Sequence, residues 1–347
     1  LAGFADAPGV GISVFYPEGK VSRVQELQMS TQEGANVAVC GVRGNFDDAQ
    51  TAVKQIFADR ELAERLATQG VMLSSANSIN VGRLVPQVVY YFDAYRQLVE
   101  ANEVEQGAKV DFCVPTGNFG DVLAGYYAYR MGLPVRHFIV ASNANNVLTD
   151  FLTTGVYDRN RPFVKTITPS MDILISSNLE RMLYYASEGD TALIARLMEN
   201  LRNEGVFRVE GEMLERIRSL FKCGWADDAE TSAMIREAWR KDGRLVDPHT
   251  AVALKVARER ADRSVPCVVL STASPFKFCR DVYIALTGRP LEGDPDGFAY
   301  MDALSGLTSE NAPAPLAGLR SMPVLHKDVV RPEGMADFIR AAVARAF

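Results

Sequence analysis

The sequence has few of the residues that build metal sites and disulfide frameworks. Its three histidines lie far apart in a chain of 347 residues, so they form no local metal motif. The five cysteines are scattered and include no C-x-x-C pair. Cysteines of this kind are typical of reduced thiols, and they predict a cytoplasmic protein rather than a disulfide-stabilised secreted one.

Long apolar runs and a surplus of positive charge are also missing. No stretch approaches the ~20 apolar residues that a membrane span requires. The formal net charge is -6 and the pI is about 5.3. We therefore expect no membrane partner and no nucleic-acid partner. With 48% hydrophobic and 23% charged residues, the composition is that of an ordinary globular protein.

The common nucleotide and nucleophile motifs do not occur either. The glycines at positions 117 and 120 fit neither G-x-G-x-x-G nor G-x-x-x-x-G-K-[ST], and there is no G-x-S-x-G. A dinucleotide, a triphosphate and a hydrolase nucleophile are therefore not indicated.

What the chain does contain is a strand-turn-helix-strand pattern near its middle. An apolar strand is predicted over 110–114, a helix over 122–131 and a second strand over 135–140. The turn after the first strand consists of Gly117, Asn118, Phe119, Gly120 and Asp121. Backbone N–H groups at the start of a helix attract phosphate, and glycine lets the anion approach closely. An ordinary turn without a ligand is the alternative.

A second polar segment precedes an apolar helix predicted over 84–99, which we expect to start or kink near Pro86. It contains Asn77, Ser78, Asn80 and Arg83. Amide, hydroxyl and guanidinium groups at a helix start can bind an anion. Simple capping of the helix explains one of these residues equally well.

Three other polar positions lie near strand or helix ends. Thr272 ends an apolar strand, where it faces a ligand cleft or caps the next helix. The asparagine-rich turn 141–146 contacts a ligand or is plain turn chemistry. His249, at a predicted helix start, is interpreted as a cap or as a support for the neighbouring loop.

Four blocks together resemble threonine synthase. They are 75–83, 114–121, 247–252 and 271–278, and they stand in the family's order, within a resemblance that runs from about Val10 to Pro290. The resemblance implies a pyridoxal 5'-phosphate enzyme of fold type II. Such an enzyme converts O-phosphohomoserine and water to threonine and phosphate.

The resemblance also implies roles for particular residues. Gly117, Asn118, Phe119, Gly120 and Asp121 would hold the cofactor phosphate, and Thr272 would face the pyridine nitrogen. Asn77, Ser78 and Arg83 would bind the phosphate of the substrate. Lys277, beside the nitrogen end of the cofactor, is placed with the substrate-binding residues.

One departure from the family concerns lysine. None of the nine lysines, Lys277 included, matches the lysine that forms the Schiff base. In the family that lysine and a Ser-Gly-Asp-Thr-Gly block precede the region matched here. We therefore expect a C-terminal portion of the enzyme, inactive alone, with the missing N-terminal portion as a partner. The alternative is a non-catalytic homologue that binds phosphate compounds or another partner.

The alternation of strands and helices predicts an α/β fold, with open twisted sheets and helices on both faces. Residues 1–75 would form a small α/β subdomain whose strands include 71–73. Residues 76–347 would form the cofactor-binding α/β domain, with a helical insertion at about 190–245 and a terminal helix over 335–347.

Overall fold

The computed structural model describes residues 2–44 and 46–346, and it has the predicted α/β class. The chain divides into two compact units. The first contains the residues up to Ser74 and those from Arg289 onward, and the second is Ser75–Gly288. No helix among the described residues is both long and apolar enough to span a membrane.

The strands are β1 (Ile12–Pro17), β2 (Val37–Val42), β3 (Val110–Pro115), β4 (Val135–Ser142), β5 (Val156–Asp158), β6 (Val206–Arg208), β7 (Phe221–Trp225), β8 (Cys267–Val269) and β9 (Asp328–Val330). The helices are α1 (Arg23–Ser30), α2 (Phe46–Ala58), α3 (Arg60–Ala67), α4 (Val81–Glu100), α5 (Gly120–Arg130), α6 (Val147–Thr154), α7 (Leu179–Ala186), α8 (Thr191–Asn203), α9 (Gly211–Leu220), α10 (Asp228–Asp242), α11 (Pro248–Arg260), α12 (Cys279–Thr287), α13 (Gly297–Thr308), α14 (Ala314–Ala317) and α15 (Met335–Ala346).

The first unit is built on a parallel sheet in the order β1-β2-β9. Met335 of α15 is fully buried in the same apolar cluster as Val42 of β2. The C-terminal residues therefore belong with the N-terminal ones, whereas the sequence had placed them in the second domain. A strand of three residues so distant in the sequence gives no local signal of its partner. Residues 71–73 form no strand, and Met72 is 87% exposed.

The second unit contains a parallel sheet in the order β7-β4-β3-β8. Along β3, Phe112 and Val114 face a core shared with α4 and α5, while Cys113 faces a core shared with α11. Helices thus cover both faces, as predicted. Burial on both faces explains why β3 is almost continuously apolar in sequence.

Two details of this unit differ from the sequence-based prediction. The segment 190–245 contains helices α8, α9 and α10 as expected, but also β6 and β7, and β7 is a strand of the main sheet beside β4. Helix α4 begins at Val81, five residues before Pro86, because the side chain of Asn80 accepts the N–H of Gly82 and caps it.

Candidate functional site

Two of the sequence-predicted groups, the turn 117–121 and Thr272, follow the carboxyl ends of neighbouring strands of the main sheet. β3 continues through α5 to β4 on one side, and β8 pairs with β3 on the other side. The register pairs Cys113 with Val269, so Thr116 and Thr272 each lie three residues beyond this pair. A crevice at such a switch point is where open α/β sheets bind ligands.

The turn 117–120 presents unpaired donors. Among the described residues, the backbone N–H groups of Gly117, Asn118 and Phe119 have no hydrogen-bond partner. Phe119 has a φ of 62°, which is strained for a bulky residue, and its buried ring packs 5.8 Å from the ring of Phe221. The buried ring holds the backbone in this conformation, and successive N–H groups in such a turn form an anion-binding concavity.

The two glycines of this turn have no space for a side chain. A Cβ at Gly117 would lie 3.1 Å from the carbonyl oxygen of Ser170 and 3.0 Å from Cα of Met171. A Cβ at Gly120 would lie 2.8 Å from Oγ of Ser78. The turn is therefore enclosed between two other loops, and only glycine permits this approach.

The second polar segment separates into residues with local roles and residues without them. Asn77 Oδ1 accepts the N–H of Ile79, and Asn80 caps α4. Capping and turn chemistry thus explain these two asparagines. They do not explain Ser78, or Arg83, whose exposed side chain has no partner in the described part of the chain.

Ser78 joins the two polar segments. Its Oγ accepts hydrogen bonds from Nδ2 of Asn118, at 3.0 Å, and from Nδ2 of Asn178, at 2.9 Å. Asn178 Nδ2 also donates to the carbonyl of Asn118, and Arg181 donates to the carbonyls of Ser78 and Ile79. We call Ser78, Asn118, Asn178 and Arg181 the Ser78 cluster. Neither Asn178 nor Arg181 is among the sequence-predicted site residues.

Asp121 follows the turn in the first turn of α5 and contacts Tyr91. The Tyr91 hydroxyl lies 2.7 Å from the carbonyl of Asp121 and 3.2 Å from its carboxylate. Burial raises the pKa of Asp121 to about 6, and the hydrogen bond from Tyr91 partly offsets this. The residue changes charge in the range where phosphate also does.

The turn 141–146 is organised differently. Asn143 and Asn145 are buried, and both donate to Asp172 Oδ1, at 2.7 and 3.1 Å. Thr166 donates to the same carboxylate through its hydroxyl, at 2.7 Å, and its N–H, at 3.0 Å. We call Asn143, Asn145, Thr166 and Asp172 the Asp172 cluster. Its asparagines make turn and loop contacts, which is one of the two roles predicted for them.

His249 is buried and supports a neighbouring loop. Ser170 N–H donates to its Nε2 at 3.3 Å, so the ring proton lies on Nδ1, which donates to Asp247 at 2.9 Å. The Thr250 hydroxyl donates to Asp247, and it lies 3.3 Å from the hydroxyl of Ser271. These bonds fix the end of β8 and the loop against Gly117.

The remaining predicted residues lie beyond β8 without contacts to the turn 117–120. Thr272 is exposed, and its hydroxyl has no partner in the described residues. The Lys277 ammonium group lies 5.7 Å from the centre of the Phe278 ring. The structure therefore joins Ser78 to Asn118 directly, and it leaves Thr272, Lys277 and Arg83 free of contacts with them.

Known proteins match this chain over most of its length. Residues 1–272 match the family model described as pyridoxal-phosphate dependent enzyme, and residues 250–335 match threonine synthase, C-terminal. The human protein named threonine synthase-like 1 is 41% identical over 313 residues, covering 90% of this chain and 42% of that protein. Threonine synthase of Pseudomonas aeruginosa is 40% identical over 279 residues, covering 80% of this chain and 57% of that protein.

Solved structures agree. Pyridoxal-phosphate-bound threonine synthase from Brucella melitensis has a TM-score of 0.81 and 38% identity, covering 96% of this chain and 65% of that one. Yeast threonine synthase has a TM-score of 0.82 and 31% identity, covering 99% and 66%. The chain spans about half the length of the curated relatives it matches, between 41% and 59% of those compared.

The chain belongs to the pyridoxal-phosphate-dependent enzymes, in the fold type II group. Within that family it is a threonine synthase-like protein. Pyridoxal phosphate is the cofactor that this family indicates. The turn 117–120 suits its phosphate, because it offers three unpaired N–H groups and glycines where the enclosing loops leave no space for a Cβ.

Proposed function

We propose that this protein takes part in the conversion of O-phosphohomoserine and water to L-threonine and phosphate. The observation that carries the proposal is the Ser78 cluster, in which a second anion-binding segment is hydrogen-bonded to the turn suited to the cofactor phosphate. A substrate that is itself a phosphate ester needs two such anion sites side by side. The threonine synthases among the relatives support this substrate class.

The predicted site residues divide between the cofactor and the substrate. Gly117, Asn118 and Phe119 hold the cofactor phosphate through backbone N–H groups, and Thr272 faces the pyridine nitrogen. The bound cofactor supplies the electron withdrawal that activates the substrate's carbon atoms. Ser78 and Arg83, with Asn77 nearby, bind the substrate phosphate and stabilise the charge that develops as it leaves. Lys277, beside the nitrogen end of the cofactor, contributes to the substrate site.

Proton transfer requires an uncharged amine near the reacting carbon. None of the nine lysines matches the family's lysine motif, so we propose that this amine comes from outside residues 1–347. That absence also favours a second candidate, a non-catalytic homologue that binds phosphate compounds or a partner. Borohydride reduction and intact mass of the protein from its natural host separate the two, because only the enzyme holds its cofactor covalently.

The experiment has a binding arm and a turnover arm. Residues 1–347 with pyridoxal phosphate should bind O-phosphohomoserine more tightly than homoserine in calorimetry, and should release no phosphate. Equal affinity for the two compounds would overturn the proposed substrate. Phosphate release that Lys277→Ala abolishes would instead show that the catalytic amine lies within this chain.

A further inference from the structure

The Ser78 hydroxyl has a fixed direction. Both atoms that contact its Oγ are amide nitrogens, which only donate, so they occupy the two acceptor positions of the oxygen. The hydroxyl must then donate its own proton elsewhere. No acceptor for that proton exists in the described part of the chain, so the O–H is a pre-oriented donor for an incoming ligand.

Arg181 holds the backbone that carries this hydroxyl. Its Nη1 donates to the carbonyl of Ser78 at 3.2 Å and to Oδ1 of Asn178 at 2.9 Å, and its Nη2 donates to the carbonyl of Ile79. All three acceptors are neutral. Among the side chains that the structure describes, no carboxylate forms an ion pair with Arg181, and the acceptors of its hydrogen bonds do not neutralise its positive charge.

We propose, building on the proposed function, that Asn178 and Arg181 are positioning residues that orient Ser78 toward the substrate's phosphate. The planar guanidinium group fixes two consecutive carbonyls in a way that a point charge cannot. Asn178 has a further task, because it also holds the carbonyl of Asn118 and so connects the substrate segment to the cofactor turn.

The two residues therefore differ in their expected effects. Arg181 contacts only the substrate segment and Asn178, so its removal should weaken binding of the substrate phosphate and leave cofactor affinity unchanged. Asn178 contacts both segments, so its removal should weaken binding of both ligands. A residue with only a general structural role would not produce this pattern.

Pyridoxine 5'-phosphate is a suitable probe, because it lacks the aldehyde and permits no turnover. The protein is loaded with it and titrated by calorimetry with O-phosphohomoserine, homoserine and inorganic phosphate. Arg181→Met and Asn178→Ala should each weaken O-phosphohomoserine about tenfold, equivalent to ~1.4 kcal/mol, and leave homoserine unchanged. Arg181→Lys, which keeps the charge and loses the fork, should lose about threefold. Only Asn178→Ala should weaken pyridoxine 5'-phosphate.

Arg218 provides a matched control, since its guanidinium group also donates to two consecutive carbonyls, those of Leu152 and Thr153. Arg218→Met should leave all affinities unchanged. If Arg181→Met and Arg218→Met give equal affinities, the inference is wrong. Arg181→Lys keeps the test open if Arg181→Met unfolds.

The phosphate arm separates this inference from the proposed function. If inorganic phosphate binds in an Arg181-dependent manner but O-phosphohomoserine does not bind, the positioning role holds and the proposed substrate is wrong. If neither anion binds the loaded protein, both proposals are overturned.

Discussion

The Ser78 cluster and the Asp172 cluster look alike in sequence and differ in structure. Both contain buried or half-buried asparagines near the carboxyl edge of one sheet. In the Asp172 cluster, one carboxylate accepts four hydrogen bonds from the chain itself. In the Ser78 cluster, the acceptors are neutral. Among the residues that the structure describes, the Ser78 hydroxyl proton has no acceptor and Arg181 has no carboxylate partner.

The difference shows how a ligand site can be distinguished from a structural one. Buried polar groups of a folded protein are almost always satisfied by hydrogen bonds. A cluster that satisfies its own groups gains nothing from a ligand. A cluster with unsatisfied donors and an uncompensated positive charge is stabilised when an anion binds to it. Four substitutions test this distinction, and the largest effect is expected in the self-satisfied cluster.

Asp172→Ala should destabilise the protein by about 3 kcal/mol or more, because it removes the acceptor of four hydrogen bonds in a buried cluster. It should not alter the affinity for phosphate compounds directly. Urea unfolding measures the loss. Asp158→Ala is the control, since Asp158 Oδ1 accepts the single N–H of Asn160 in an exposed turn, and it should cost about 1 kcal/mol. Similar losses for both would mean that the Asp172 cluster is not structural.

Arg83→Ala should weaken ligand binding and leave stability almost unchanged, the reverse of Asp172→Ala. The Arg83 side chain is exposed and without a partner in the described residues, so stability should change by less than about 0.5 kcal/mol. Binding of O-phosphohomoserine should weaken by ~1.5–3 kcal/mol if the charged contact forms. Calorimetry measures this, with homoserine as the ligand that lacks phosphate. Unchanged affinity would show that Arg83 does not contact the substrate phosphate.

Asp121→Asn tests the carboxylate that follows the turn 117–120, through the pH dependence of stability. The folded pKa of Asp121 is raised to about 6, above an unfolded value of ~3.9, so the folded state binds the extra proton between these values. Stability from this group is full below the unfolded pKa and falls as pH rises through the folded one.

Relative to the Asn variant, the wild type should therefore lose roughly 2 kcal/mol of unfolding free energy between pH 4 and pH 7. Parallel urea titrations of both proteins measure the difference and cancel other titrating groups. Asp302→Asn is a control whose carboxyl has its pKa lowered by Arg320, so the trend should reverse. A difference independent of pH would show that Asp121 is not shifted.

Local patterns in the sequence predicted most of the second unit. The apolar run at β3, the turn at Gly117 and the stop at Gly132 are all short-range signals, and the structure has them within a few residues. The contact of Ser78 with Asn118 joins residues 40 apart, whereas the sequence predicted only that each segment can bind an anion.

Long-range partners account for what the sequence could not predict. Asn178 lies 100 residues from Ser78, and nothing in its local pattern distinguishes it from an ordinary helix start. β9 pairs with β2 across more than 280 residues, so its grouping with the first unit was missed. β7 contains lysine, glycine and tryptophan among its five residues, which gives no clear strand pattern.

Thr272→Val should have the smallest effect on stability. It therefore separates a ligand-binding role from a structural one most clearly. The Thr272 hydroxyl has no partner in the part of the chain that the structure describes, so the isosteric change should alter unfolding free energy by less than about 0.5 kcal/mol. If the hydroxyl contacts the pyridine nitrogen, affinity for pyridoxal phosphate should fall about three- to tenfold, the range for one neutral hydrogen bond.

Thr250→Val is the matched control, because the buried Thr250 hydroxyl donates to Asp247. That variant should lose roughly 1–2 kcal/mol of stability. A destabilised Thr272→Val with unchanged cofactor affinity would place Thr272 with the structural cluster.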